Sequence, residues 1–489
     1  MGAESLRSKT FHALAWSLAE SVGVQGVRLV MGIVLARLLF PEEFGLIGML
    51  TIFIAVAQSF LDSGFGAALI QKRNATQTDK CSIFYFNIVF GLITAGGLCL
   101  FAPWIAAFYK QPILTAVTRA MSVTLVVNSF SLIQSTILAK EIDFKTQTKA
   151  SLIASVMSGI LGITMAGRGF GVWSLVGQQM SSAICRTVLL WLWNSWRPAL
   201  IFSFQSLREM FGFGSRLLAS GILEQVFGNI YSLVIGKLFS AADLGYFTRA
   251  QTLGEVPSQT LSSMVGRVTF PVFAMIRDDT SRLKNGMKKA ITTLVFINFP
   301  MMIGMAVVAR PLVLVILSEK WAESIPYLQL LCMVGLLYPL HLINLNVLQA
   351  LGRSDYFLRL EVIKKILIVI NIVVTWQFGI SAMICGMIAF SAIAYYLNSY
   401  YTGILVGYSA GEQLRDWSGY LMIAALMGGA VYLVGWLPFR RLWSMLLVQV
   451  CFGVIFYGSL CRLFRMAAFM DFWQTGCRKM SFLRAGILA

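Results

Sequence analysis

The 489 residues are 58% hydrophobic and only 12% charged, where a water-soluble domain averages about 25% charged. That leaves too little polar surface to clothe a soluble globule. The net charge of +18 could serve nucleic acid or an acidic membrane surface, so the placement of the cations decides what it means.

Apolar runs of about 20 residues, long enough to cross a ~30 Å hydrocarbon layer as helix, recur along the chain. They fall at 13–39, 44–69, 82–108, 113–138, 150–166, 170–193, 211–238, 251–276, 290–309, 325–351, 360–377, 380–407, 418–437 and 443–461. Strand-like alternation is weak, which favours a helical bundle over a β-barrel. The expected fold is all-α: a polytopic membrane bundle of about 14 transmembrane helices. The eighth run is the most polar, with Glu255, Pro257, Gln259, Arg267 and Pro271.

Arg7 and Lys9 precede the first run, which is too long for a cleavable signal peptide and reads as a retained span. Lys and Arg crowd the amino end, the even-to-odd loops and the carboxyl tail. The densest loop holds Arg277, Arg282, Lys284, Lys288 and Lys289. This positive-inside pattern predicts both termini in the cytoplasm, and makes the charge a topology and lipid-attraction signal rather than a nucleic-acid surface. The eight cysteines fall in spans or on the expected cytoplasmic side, so no disulfide framework is expected, and without CxxC spacing no metal site is either.

The chain repeats itself. Residues 33–46, IVLARLLFPEEFGL, align with 233–246, LVIGKLFSAADLGY, placing Arg37 over Lys237, Glu43 over Asp243 and Gly45 over Gly245. Near the end of each half, GVWSLVG at 171–177 resembles GISAMICG at 379–386, with Gly171 over Gly379. Six spans per copy give both copies one orientation, a parallel repeat. The expected layout is a six-helix lobe at 1–195, a linker at 196–208 forming a short interfacial helix, and a second lobe at 209–407. Two added helices at 408–461 and a cytoplasmic tail at 462–489 complete it.

Catalysis has little to work with: two histidines, His12 and His341, and no HExxH, GxSxG or Walker lysine loop. The unusual chemistry is charge inside the spans, which is costly in lipid and usually faces a bundle interior or watery cavity. Arg28 with Glu20, Arg119, Arg216 with Glu224, Asp62 and Arg267 stand there, with Glu255, Gln25, Gln225 and Asn128 as polar company. Arginine suits phosphate oxygens because its planar fork binds them bidentately. Arg119 and Arg216 lie close enough to span ends to snorkel instead. His341 reads as a hydrogen-bonded interior residue or a proton relay.

The stretches VLARLLFPEEFGLIGM (34–49), LDSGFGAALIQKRN (61–74), FPVFAMIRDDTSRLK (270–284), SEKWAESIPYLQLLCMVGLL (318–337) and FLRAG (482–486) carry a resemblance. The chain resembles the polysaccharide-transport, colanic-acid exporter-like branch of the multidrug/oligosaccharidyl-lipid/polysaccharide flippase superfamily. The resemblance implies two six-helix lobes around a cavity of alternating access, without catalytic residues or cofactors. It also implies a bacterial inner-membrane flippase whose partner is an undecaprenyl-diphosphate-linked oligosaccharide. On the charge argument, Arg28 and Arg267 are the expected diphosphate or acidic-sugar contacts, with Arg119 and Arg216 guiding the head group in and out. Glu20, Asp62 and Glu224 are candidates for a coupling H+ or Na+. The competing expectations are a small-molecule antiporter of the same fold and a membrane glycan polymerase, the latter disfavoured by short outer loops.

Overall fold

A computed structural model describes residues 23–62, 64–72 and 74–472, and every side chain within them but those of Phe213, Arg216 and Ser354. The described chain is helical, without strands. Contacts divide it into two units, Met1–Thr248 and Arg249–Ala489. The first holds α1 (23–38), α2 (Pro41–Asp62), α3 (Phe65–Gln71), α4 (Gln77–Tyr109), α5 (Ile113–Lys140), α6 (Phe144–Gly167), α7 (Val172–Trp193), α8 (Phe204–Gly228) and α9 (Ile230–Leu238). α10 (Ala241–Met275) begins in the first unit and continues into the second. Then come α11 (Thr280–Val307), α12 (Ala309–Ile316), α13 (Ser324–Ala350), α14 (Ser354–Thr375), α15 (Ile380–Val406), α16 (Ala410–Val434) and α17 (Leu442–Leu463).

Nine helical stretches among the described residues are long and apolar enough to cross a membrane, ten if α8 and α9, bent by 43°, form one span. This is fewer than fourteen for identifiable reasons. The first run lies partly outside the described residues. The others, α7, α10 and α14, are continuous helices of 22, 35 and 22 residues. They carry polar residues: Gln178, Gln179 and Arg186; Arg249, Glu255 and Arg267; Glu361, Lys364 and Lys365.

The internal repeat is visible in the backbone. Helix runs to Leu38 and to Leu238, breaks for two residues, and resumes at Pro41 and at Ala241. An acid at the third position of the new helix turns back to cap it: Phe40 N donates to the Glu43 carboxylate, and Ser240 N donates to Asp243 Oδ2 at 3.1 Å. In the first copy this is half of a capping box; in the second, Asp243 N also donates to Ser240 Oγ at 3.1 Å and completes it. The second repeat block also has its backbone counterpart, for Gly171 (φ 55°) and Gly379 (φ 91°) each precede the first residue of a helix, α7 and α15. Combined with ψ of −131° and 175°, these φ values belong to a region essentially restricted to glycine.

Within the first unit these two helix starts cross at van der Waals distance. A Cβ on Gly45 would lie 1.6 Å from the carbonyl oxygen of Ala241, and one on Gly245 would lie 1.9 Å from that of Pro41. At the 200-residue offset Gly45 corresponds to Gly245 and Pro41 to Ala241, so exchanging the two copies turns one pair into the other, the signature of a local two-fold.

The segment expected as an interfacial helix, 196–208, is instead extended as far as Ser203, and α8 begins at Phe204. Competing partners explain the difference. Pro198 has no N–H to donate, and α4 and α5 capture the backbone on either side of it. Gln134 donates to Trp196 O (3.4 Å) and Tyr85 to Ala199 O (3.1 Å), while Ser203 N donates to Ser82 Oγ (2.9 Å). The Trp196 ring packs into an aromatic cluster around Phe84 with Trp191 and Phe130, and its Nε1 donates to Gln77 Oε1 at 2.8 Å.

The second unit is held together by prolines and the side chains that answer them. A proline inside a helix frees the carbonyl four residues earlier, and in lipid a freed carbonyl needs another donor. Pro339 of α13 frees Gly335 O, which accepts from Asn298 Nδ2 of α11 and Ser258 Oγ of α10, both at 3.1 Å. Pro300 of α11 frees Phe296 O, which accepts from Tyr457 of α17 at 2.9 Å. The last two helices therefore pack on α11 rather than standing apart. At one end of α11, Lys284 pairs with Glu412 and Lys288 with Asp416 of α16, each at 2.8 Å.

Candidate functional site

The intramembrane carboxylates gather neutral amides more than cations. Asp62 closes α2. One turn earlier Gln58 donates to Asp62 Oδ1 at 3.4 Å, and its own Oε1 accepts from Asn128 Nδ2 of α5 at 3.1 Å. The cation whose field acts on Asp62 is Arg186 of α7, which also donates to Ser135 Oγ at 3.4 Å. Three helices of the first unit thus converge on this carboxylate.

The second unit carries its own arrangement on α10. Gln251 donates to Glu255 Oε1 at 3.0 Å and Gln259 to Oε2 at 2.9 Å. Spacing by four aligns the three side chains along one face of the helix. A carboxylate held by amides rather than by an arginine can take up a proton, or offer oxygens to a monovalent cation, without first breaking an ion pair. Glu255 was not among the expected ion-coupling residues; the Gln-x3-Glu-x3-Gln spacing at 251–259 was the signal for it. Arg186 was hidden by the apolar run around it.

The predicted charges are spread over several helices. Arg28, Arg119 and Arg267 have exposed side chains on α1, α5 and α10, and Glu224 is exposed four residues before the end of α8. Arg216 is a helical residue of α8 whose side chain lies outside what is described, and Glu20 lies outside the described residues. Among the described side chains, no ion pair joins two of these charges. An ion-pair cluster of the first unit stands near helix ends, where Lys72 meets Asp79 at 3.0 Å and Glu209 at 3.2 Å. The bond to Asp79 holds the Lys72 ammonium above its ordinary pKa.

A buried polar network lies deeper in the second unit. Gln413 of α16 donates to Asn344 Oδ1 (3.2 Å), Thr402 Oγ1 (3.4 Å) and Tyr408 O (3.1 Å), and accepts from Asn344 Nδ2 (3.2 Å) and Tyr395 (3.3 Å). His341 completes it. Asn398 Nδ2 donates to its Nδ1 at 3.2 Å, which leaves Nε2 as the protonated nitrogen facing Ser391 Oγ at 3.0 Å. This is a satisfied interior histidine. No group of three or more His, Cys, Asp or Glu among the described residues is placed to hold a metal.

The family profile described as polysaccharide biosynthesis protein matches residues 34–326. The chain belongs to this family. The lipopolysaccharide biosynthesis protein WzxC of Escherichia coli (strain K12) is 28% identical over 466 residues, covering 93% of this chain and 90% of that protein. The teichuronic acid biosynthesis protein TuaB of Bacillus subtilis (strain 168) is 26% identical, covering 72% and 73%. Among solved structures, the lipid II flippase MurJ in an inward closed conformation superposes with a TM-score of 0.72 over 94% of this chain and 99% of its own, at 13% identity. An inward-facing multidrug resistance MATE family transporter of the MOP superfamily gives 0.62 over 80% and 96%, at 17% identity. The polysaccharide biosynthesis family member described here therefore has the MurJ/MATE-like multi-pass membrane fold.

Proposed function

We infer that this protein is a flippase, not an enzyme. It moves undecaprenyl-diphosphate-linked oligosaccharide repeat units across the bacterial inner membrane for surface polysaccharide biosynthesis, by alternating access. The observation that carries this reading is family membership with relatives named for polysaccharide biosynthesis, aligned over nearly the whole chain, on a fold shared with a lipid II flippase.

The physics suits that cargo. A diphosphate and several sugars cannot cross hydrocarbon unaided, whereas the polyprenyl chain is at home in lipid. In our reading both termini are cytoplasmic and two six-helix lobes enclose the path. Arg28 and Arg267 meet the diphosphate or an acidic sugar, and Arg119 and Arg216 guide the head group. Asp62 and Glu255 are the leading coupling-ion carboxylates because amides already orient both, with Glu20 and Glu224 as further candidates; H+ or Na+ is the ion.

Deleting the gene in its host and analysing undecaprenyl diphosphate lipids by mass spectrometry tests the function. Accumulation of a complete oligosaccharide on the lipid, with surface polysaccharide lost, is expected. Unchanged lipids and polysaccharide in a host without a redundant transporter would replace this reading with small-molecule export. The site assignment has its own test: Arg28→Ala and Arg267→Ala, at normal protein level, each reduce flipping, and full activity in both removes those arginines from the path.

A further inference from the structure

The first unit contains an apolar cavity of about 840 Å³ walled by α2, α4, α8 and α9. Its floor is buried (Ile52, Ala57, Leu98, Ile105), while Phe101 and Trp104 on its flank are more than half exposed. It is thus a groove open to the side of the bundle, not an internal void. The polar side chain in its lining is Thr94, whose hydroxyl donates to Phe90 O at 2.7 Å. Nothing polar is directed at an occupant along its length.

Its end is different. Lys237 of α9 places its Nζ 4.3 Å from the centroid of the Phe108 ring and donates to Phe108 O at 2.5 Å. An ammonium has three protons to donate, so the exposed Lys237 keeps two for a ligand. Lys110, also exposed, follows two residues after Phe108. The groove therefore runs from a cationic end, past Trp104, into apolar walls. From Phe108 back to Thr94 it extends roughly 20 Å along α4. That is about half of a bilayer's 40–45 Å, head groups included: one leaflet.

We propose that this groove seats an acyl chain of a membrane glycerophospholipid whose phosphate rests on Lys237 beside Lys110. A phospholipid fits better than the polyprenyl chain of the cargo. The cationic end matches one phosphate, and the length matches one leaflet, far short of eleven isoprene units. The bound chain touches Val226 before the α8–α9 bend of 43° and Leu233 after it, so it braces that bend. The proposal does not depend on what the protein transports.

The test uses the full chain in nanodiscs of phosphatidylethanolamine and phosphatidylglycerol, doped with phosphatidylethanolamine carrying a diazirine on its acyl chain. After irradiation, labelled peptides are mapped by mass spectrometry. The reference is the lipid-exposed face of α14 at Ile366, Val369, Ile370 and Val373. Label concentrated on 52–60, 98–108 and 226–233 over that face is expected. Lys237→Ala should lower groove labelling about fivefold, as one lysine near a lipid phosphate is worth. Gly97→Leu should lower it further: Gly97 lines the groove and a Cβ there meets nothing within 4 Å, so the side chain fills the groove without displacing backbone. Groove labelling no higher than on α14, or indifferent to both substitutions, overturns the proposal. So does loss of groove label on adding equimolar undecaprenyl phosphate, which would make the polyprenyl chain the occupant.

Discussion

Replacing Gly45 by alanine puts a methyl group 1.6 Å from Ala241 O and 2.5 Å from its carbonyl carbon. Neither neighbour is a flexible side chain. To reach even a 3.0 Å contact, the starts of α2 and α10 must part by at least about 1.4 Å at Gly45, or 1.1 Å for the mirror substitution at Gly245. Forced repacking of this kind costs about 1–3 kcal/mol, a shift of roughly 5- to 150-fold against the closed crossing. The penalty is shared across the contact, so its signature is reciprocal. In nanodiscs, Gly45→Ala should speed hydrogen exchange of amides 240–246, and Gly245→Ala that of 40–46. The double variant should cost less than the two together, because the first methyl has already parted the helices. Gly212→Ala is the control: nothing lies within 4 Å of a Cβ there, and alanine in a helix is about 1 kcal/mol better than glycine. Unchanged exchange at 240–246 in well-folded Gly45→Ala would refute the crossing.

Tyr457→Phe should lower stability by about 1–3 kcal/mol, because Phe296 O, freed by Pro300, loses its donor. Thermal unfolding should show most of that loss vanish in a Pro300→Ala background, where residue 300 regains an N–H for the same carbonyl. Gln413→Leu should cost more, about 3 kcal/mol or above, since Asn344 and Thr402 lose buried partners together; hydrogen exchange in α16 should rise first. Glu255→Gln, with near-normal thermal stability, should abolish ion-driven flipping in vesicles but spare slow exchange down the lipid gradient; unaltered ion dependence would remove Glu255 from coupling.

Much of this was legible in the sequence, and what was not has a common cause. Run length and charge deficit specify a membrane bundle because both are read from the linear sequence without tertiary context. The 200-residue offset was legible because the repeat retains the break, the capping acid and the glycine, each needed by local backbone geometry. Helices α7, α10 and α14 were legible as long runs and are continuous helices, but the polar residues they carry leave them outside the stretches apolar enough to cross a membrane. Pairings across helices were not legible. Pro300 and Tyr457 are 157 positions apart, and nothing local says that the hydroxyl of one supplies what the other removes. The arginines were legible as residues that need a reason, but not as a cluster. The 196–208 linker has the composition of an interfacial helix, and donors and acceptors on α4 and α5 drew its backbone elsewhere.

The repeat also explains an asymmetry. Gly45 and Gly245 form a contact that duplication writes twice, once for each copy, so each copy supplies both the glycine and the carbonyl that faces it. The Gln413 network has no second copy, because α16 follows the second copy alone. Asn344 and Thr402 are fully buried in the second unit, and Gln413 supplies a hydrogen-bond partner to both. Facing lipid, those side chains would each want a hydrogen-bond partner that hydrocarbon does not offer. The polar residues of α13 and α15 and the added helix are therefore mutually dependent. With Lys284–Glu412 and Lys288–Asp416 closing the same seam at its polar end, α11, α13, α15 and α16 are tied into one body. A transport cycle that moves one of these helices has to move all four.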